Sequence, residues 1–347
     1  MTVGEIKLRR LTNQYLLSPG ERLEVAQNLC GIQAQFFSNA IHSLKTRCLS
    51  FDEKTVGEDL VKNWTLRGTM HVFARADLPL FLDEKHYRSN QWEDANFWNQ
   101  RKDWALTPER QQYLSAVILE TLTEESRSRE ELKELCRAEG MTDAEEASLF
   151  HPWGGGIRQL CERGFLHYAA QEEKIFCLSP EVPLIPEEKR KLELAHRYFE
   201  NFGPATIHDA MYFFKATAAE VKRWLSLLPV NICHWQGSTY FYIENGKRYD
   251  RNISECLFLA GFDQLMLGYE KKESLFLRPE DIRSVFSLAG IVLPSVLLDG
   301  EVAGKWKMKN GALTVMPFRP LSNEKASAVK DKAEILWPDL KKFKFEE

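Results

Sequence analysis

The chain has 347 residues, 44% of them apolar and 28% charged, with a formal net charge of -4. These proportions belong to a folded globular protein of two or three domains and exclude disordered and fibrous classes. The net charge gives no overall pull toward a phosphate backbone, but charge is unevenly spread. Residues 1–50 carry six basic and three acidic side chains, 301–347 ten and seven, and 120–150 four and ten. A local anion-binding surface therefore stays open as a possibility.

No basic segment followed by an apolar run opens the sequence, and no stretch of 18 apolar residues occurs, so export and membrane spanning both lack a signal. The seven cysteines are odd in number, widely spaced and without a Cys-x-x-Cys pair. That argues against a disulfide scaffold or a structural zinc site and leads to an expected cytoplasmic location.

In chain order, Ser18-Pro19-Gly20-Glu21 reads as a helix start, with a capping hydroxyl, a proline and a carboxylate three residues on, before Leu23, Ala26 and Leu29. Gly31 interrupts that helix and a second apolar pattern runs over 36–44. Thr55 with Glu58 repeats the capping arithmetic, and residues 70–73 form a strand candidate. Ser128 with Glu131 starts a short helix, Gly154-Gly155-Gly156 supplies a hinge or tight packing, and residues 157–163 are helical. Two strand candidates, 164–168 and 174–178, follow. The proline-rich segment 179–186 is the best linker. Residues 191–245 make the clearest module: three helices, the second and third starting at Thr206 and Thr217, then strands 230–235 and 240–243 about a Gln236-Gly237 turn. Three helices followed by a hairpin is the winged-helix order. Beyond 257 the pattern is β-rich, with a meander through the hairpin turns Asp299-Gly300 and Asn310-Gly311. The expected fold class is α+β: tandem winged-helix modules followed by a β-rich, barrel-like C-terminal domain. The expected division is 1–125, 126–185, 186–250 and 251–347.

Candidate chemistry is sparse. No Gly-rich nucleotide fingerprint and no Gly-x-Ser-x-Gly elbow is present, and the eight histidines form no His-x-x-x-His pair. Arg67, Thr69 and His71 occupy alternate positions and would share a face if extended, suiting either an anionic ligand or a buried polar network. Lys305, Lys307 and Lys309 alternate with Gly304, Trp306 and Met308, a basic ridge that is either solvated or turned to phosphates. Gln33 and Gln35 would share a face only in an extended segment. Their amides can hold a water and a substrate oxygen, yet glutamine is no ordinary base, and taken alone the pair reads as structural.

Four segments together carry more. Residues 29–35 (LCGIQAQ), 64–71 (WTLRGTMH), 262–269 (FDQLMLGY) and 294–306 (PSVLLDGEVAGKW) resemble, in matching order, the signature segments of the AlkZ-like winged-helix DNA glycosylases that act on alkylated bases and interstrand crosslinks. The resemblance spans nearly the whole chain. It implies tandem winged helices forming a channel for double-stranded DNA, and removal of N-alkylated bases without metal or organic cofactor by a monomer. Members carry Gln-x-Gln or Gln-x-Asp at the catalytic position, and Gln33 and Gln35 match the first type. The resemblance adds Asp263 to Arg67, Thr69, His71, Lys305, Lys307 and Lys309 as substrate- or DNA-contacting residues. The chain departs from the pattern at Gln264, where relatives often carry an acid, and at Glu270-Lys271-Lys272, where an Asp-Arg pair is common. A non-catalytic winged-helix DNA-binding or regulatory protein is the alternative; an enzyme acting on a free small molecule, or a protein-interaction scaffold, is a third class.

Overall fold

The computed structural model describes residues 1–346 other than 66, 93–97, 99, 251, 252, 254 and 255. Helices and mostly antiparallel sheets make it an α+β protein, and the chain divides into two compact units, one built from residues 1–53 and 192–347 and the other from 54–191. No helix among the described residues is long and apolar enough to cross a membrane.

The discontinuous unit opens with helices Val3–Asn13, Arg22–Asn28 and Phe37–Lys45. Thr2 and Glu5 close a reciprocal cap on the first. From residue 192 this unit continues with the remainder of helix Glu187–Asn201, then Ile207–Phe214 and Ala218–Leu227, and the hairpin of Asn231–Trp235 with Ser238–Tyr242. Stacked and edge-on rings of Tyr198, Phe202, Phe213, Phe214 and Trp224 fill the space between the helices. Cys233 and Tyr240 of the hairpin bury against Ile6.

Five strands follow in spatial order Leu257–Leu259, Ser295–Leu298, Glu301–Lys309, Ala312–Pro317 and Lys342–Phe345. The last pairs in parallel and the others antiparallel. Both predicted turns are present: Asp299-Gly300 and Asn310-Gly311 each have two positive φ values, the requirement of a tight two-residue hairpin. The 14-residue helix Asn323–Leu336 covers one face, burying Val329 and Ala333 against Phe258, Val296, Leu298, Leu313 and Val315. Among the described residues the two outer strands pair on one side only, so the sheet is open and the barrel-like closure expected from the sequence is absent.

The second unit holds strands in spatial order Met70–Ala74, Leu60–Trp64, Leu166–Ala169, Ile175–Leu178 and Arg127–Ser128. Its longer helices are Pro108–Glu124, Arg129–Ala138, Asp143–Leu149 and Gly155–Glu162. The expected cut after residue 125 falls inside this unit. Leu114, Ile118 and Leu122, before the cut, share one buried cluster with Leu132, Cys136, Leu160, Tyr168 and Phe176, after it. The triple glycine serves tight packing: Gly155 lies at φ +62°, where a Cβ would stand 2.2 Å from the Ser148 carbonyl oxygen.

Candidate functional site

Helix Arg22–Asn28 is stopped by two successive left-handed residues, Cys30 at φ +54° and Gly31 at φ +85°. The Gly31 N–H donates back to the Ala26 carbonyl at 2.9 Å, closing the helix end in the manner of a glycine C-cap. The chain leaves this turn extended over Ile32–Gln33 and bends at Gln35 before entering helix Phe37–Lys45. Ile32 and Ala34 are buried and pin the segment to the core. Gln33 is 8% exposed, whereas Gln35 is an exposed residue. The pair therefore combines a buried residue with an exposed one, on a backbone that is extended at the first and bent at the second.

Both flanks are fastened to one distant segment. Downstream, the Arg47 guanidinium donates to both carboxylate oxygens of Asp263, at 2.7 and 3.0 Å, and also to the Ser43 hydroxyl and the Gln14 carbonyl. Both side chains are fully buried. Upstream, the Gln264 amide Nε2 donates to the Gly31 carbonyl at 2.6 Å. Phe36 and Phe262 bring their rings to 6.0 Å. His42, one turn into the helix, donates from Nε2 to the Phe258 carbonyl at 2.7 Å and stacks on Trp337, with Trp306 alongside. Burial pushes the His42 pKa down, so the ring is held neutral there.

Asp263, expected as a substrate- or DNA-contacting residue, thus lies 1% exposed with both oxygens occupied by Arg47. Asp263 also caps the short helix Gln264–Leu267 through the Leu265 N–H. Its carboxylate is spent on internal structure and presents nothing to a strand of DNA. The departing residues at 270–272 form a surface turn, in which Glu270 caps a single 3-10 turn over Lys271–Glu273.

In the second unit, the chain turns between Leu60–Trp64 and Met70–Ala74, where the Gly68 N–H donates to the Thr65 carbonyl at 2.8 Å. The expected shared face of Arg67, Thr69 and His71 does not form, because the turn takes Arg67 off the strand. It folds the guanidinium back so that it donates to His71 Nε2, while His71 Nδ1 donates to the Thr69 carbonyl at 3.0 Å. His71 is 0% exposed, and burial together with the Arg67 charge holds its pKa well below the ordinary histidine value. His71 is a neutral structural ring; Arg67 and Thr69 are half-buried around it. Arg158 lies over the Trp64 ring at 4.0 Å beside the same turn.

Lys305 is half-buried and Lys307 and Lys309 are exposed on strand Glu301–Lys309, where Lys307 approaches Glu346 at 3.5 Å. Trp306, between the first two, packs into the apolar layer under helix Asn323–Leu336 and donates from its indole to the Leu259 carbonyl at 2.9 Å. Sequence reasoning did not find Gln14, His42 or Arg47, nor a role for Gln264. Each acts on partners far away in the chain, and the polar run Thr12-Asn13-Gln14, buried throughout, was the one available local signal.

The site is thus a pair of neutral amides, one buried and one exposed, on a segment that an α+β framework fastens at both flanks. The model of the family described as DNA glycosylase AlkZ-like matches residues 26–336, and the chain belongs to that family. It is 27% identical over 338 residues to the interstrand DNA cross-link repair glycosylase of Streptomyces sahachiroi, covering 89% of this chain and 88% of the relative. The solved structure of the Streptomyces sahachiroi DNA glycosylase AlkZ matches with a TM-score of 0.78 at 21% identity over 100% of both chains, so the fold is shared. The family expected from the four sequence segments is the family found.

Proposed function

We propose that this chain is a monofunctional DNA glycosylase that hydrolyses the N-glycosidic bond of N-alkylated, cationic purines in double-stranded DNA, including bases joined in interstrand crosslinks. Gln33 and Gln35 position the attacking water. The observation that carries the reading is the Gln33-Ala34-Gln35 segment itself, fastened on both sides within a chain of the AlkZ-like glycosylase family.

Alkylation at purine N7 or N3 makes the base a cation. When the C1′–N bond breaks, its electron pair returns to the base and neutralises that charge, so little acid assistance is needed. The remaining task is to bring water to C1′ and to favour the positive charge that develops on the sugar. The two amide oxygens do both, accepting hydrogen bonds from the water and facing the sugar with their negative ends. The water oxygen bonds to C1′, and the proton it sheds passes to solvent. Because glutamine does not titrate, the site keeps its charge across the pH range. The helices of residues 187–227 and the hairpin after them serve in this reading as a winged-helix DNA-binding module. Lys305, Lys307 and Lys309 serve as phosphate contacts, with Arg67 and Thr69 flanking the substrate.

The test measures abasic-site formation on duplexes carrying an N7-alkylguanine or a crosslink. Wild type releases the base, while Gln33→Ala and Gln35→Ala slow release by about 100-fold or more with duplex binding intact. Tight duplex binding by the wild type with no base release would instead identify a non-catalytic DNA-binding protein.

A further inference from the structure

From the geometry we infer that Asp263 and Gln264 act as a two-residue clamp that sets the backbone of the Gln33-Ala34-Gln35 segment, and that Gln264 is a positioning residue for the excision reaction. The inference rests on the reading of Gln33 and Gln35 as the water-positioning pair. Consecutive residues reach the two ends of one segment: Gln264 holds Gly31, two residues before Gln33, and Asp263 holds Arg47 and, through it, Ser43 in and just after the helix that follows Gln35.

The chemistry of position 264 is specific. Its side chain is 0% exposed, its Nε2 donates to Gly31 at 2.6 Å, and its Oε1 meets no donor among the described residues. An amide buried with an unpartnered oxygen is a poor choice for stability alone, since an apolar side chain of that shape would avoid the loss. What the amide supplies is its N–H, delivered to a carbonyl in a left-handed turn whose direction decides where residue 33 points. A carboxylate at the same place could not donate and would repel the Gly31 carbonyl. A protonated carboxyl could donate. Position 264 therefore couples the identity of one buried group to the aim of the Gln pair, and reaction geometry is sensitive to displacements of an ångström.

Gln264→Glu decides the matter, with Gln264→Ala beside it. Single-turnover release of an N7-alkylguanine is measured from about pH 8 to about pH 5.5, a range in which a buried carboxyl takes up its proton. At the upper end both variants are expected to release base at least about 10-fold more slowly than wild type with duplex affinity unchanged. As pH falls, Gln264→Glu recovers toward wild type, Gln264→Ala does not, and wild type stays flat after subtraction of spontaneous depurination. Hydrogen exchange adds a readout apart from activity: faster exchange in Gln264→Glu at the upper pH, confined to residues 26–37 and reversed on acidification. Folding of each variant is followed by circular dichroism at each pH. Equal release by wild type and folded Gln264→Glu across the range overturns the clamp and leaves the proposed function standing. Parallel loss of folding, duplex binding and release in Gln264→Glu, without recovery at low pH, also overturns it, as a purely structural role. Absence of release by wild type overturns both.

Discussion

Arg47 and Asp263 place a full positive and a full negative charge side by side with no exposure of either side chain. Withdrawing one member of such a pair leaves the other desolvated and uncompensated, which costs about 3–5 kcal/mol, whereas exchanging both for apolar groups costs far less. Arg47→Met is therefore expected to lower unfolding stability in urea by about that amount, and addition of Asp263→Leu to return part of it. The same pair explains why Asp263 reads so easily as a contact residue in the sequence. A conspicuous acid in a signature segment looks functional, and only the partner 216 residues away shows how its charge is used. Gln33 and Gln35 were legible as a motif for the opposite reason, since their spacing is local. That one is buried and the other exposed was not legible, because the bend at Gln35 is imposed by the flanking turns.

At the scale of elements, short-range rules carried well. Ser128 with Glu131, Thr206 with Asp209, and Thr217 with Glu220 all close the reciprocal caps their spacing predicts. Ser18 with Glu21 does not: the helix begins at Arg22, because Gly20 is drawn into backbone bonds with Arg47 and Leu49 that hold it out of the helix. Helix Asn323–Leu336 was hidden in a region read as β-rich, although Ser322 caps it through the Lys325 N–H. Thr55 likewise makes no side-chain cap. The turn into helix Gly155–Glu162 gives a sharp expectation. In Gly155→Ala the added carbon meets the Ser148 carbonyl in a left-handed conformation, so melting of this variant should report a loss of about 2–4 kcal/mol.

On the scale of the whole molecule, the division into units was the least legible feature, since residues 1–53 complete a core whose other members begin beyond residue 192. Both units contain histidines held below their ordinary pKa, the half-buried His42 in one and the buried His71 and His167 in the other, and desolvation is the first cause in each case. The unfolded chain takes up these protons near pH 6.5 and the folded chain only at lower pH, with His167 pushed down to about 4. Their contribution is fully present above about pH 6.5 and is lost as pH falls, at up to about 1.4 kcal/mol per pH unit for each ring. His167→Gln should flatten the acid side of a stability-pH curve by one proton. The cysteines offer a further consequence. Six of the seven are buried, and burial raises the thiol pKa of Cys136, Cys161, Cys233 and Cys256. With Cys136 and Cys161 in one unit and Cys233 and Cys256 in the other, the folded chain is expected to react slowly with alkylating reagents at these sites, so that each thiol becomes a clock that starts when its own surroundings open. Timed iodoacetamide labelling followed by peptide mass spectrometry would then assign a separate opening rate to each unit, without any engineered probe.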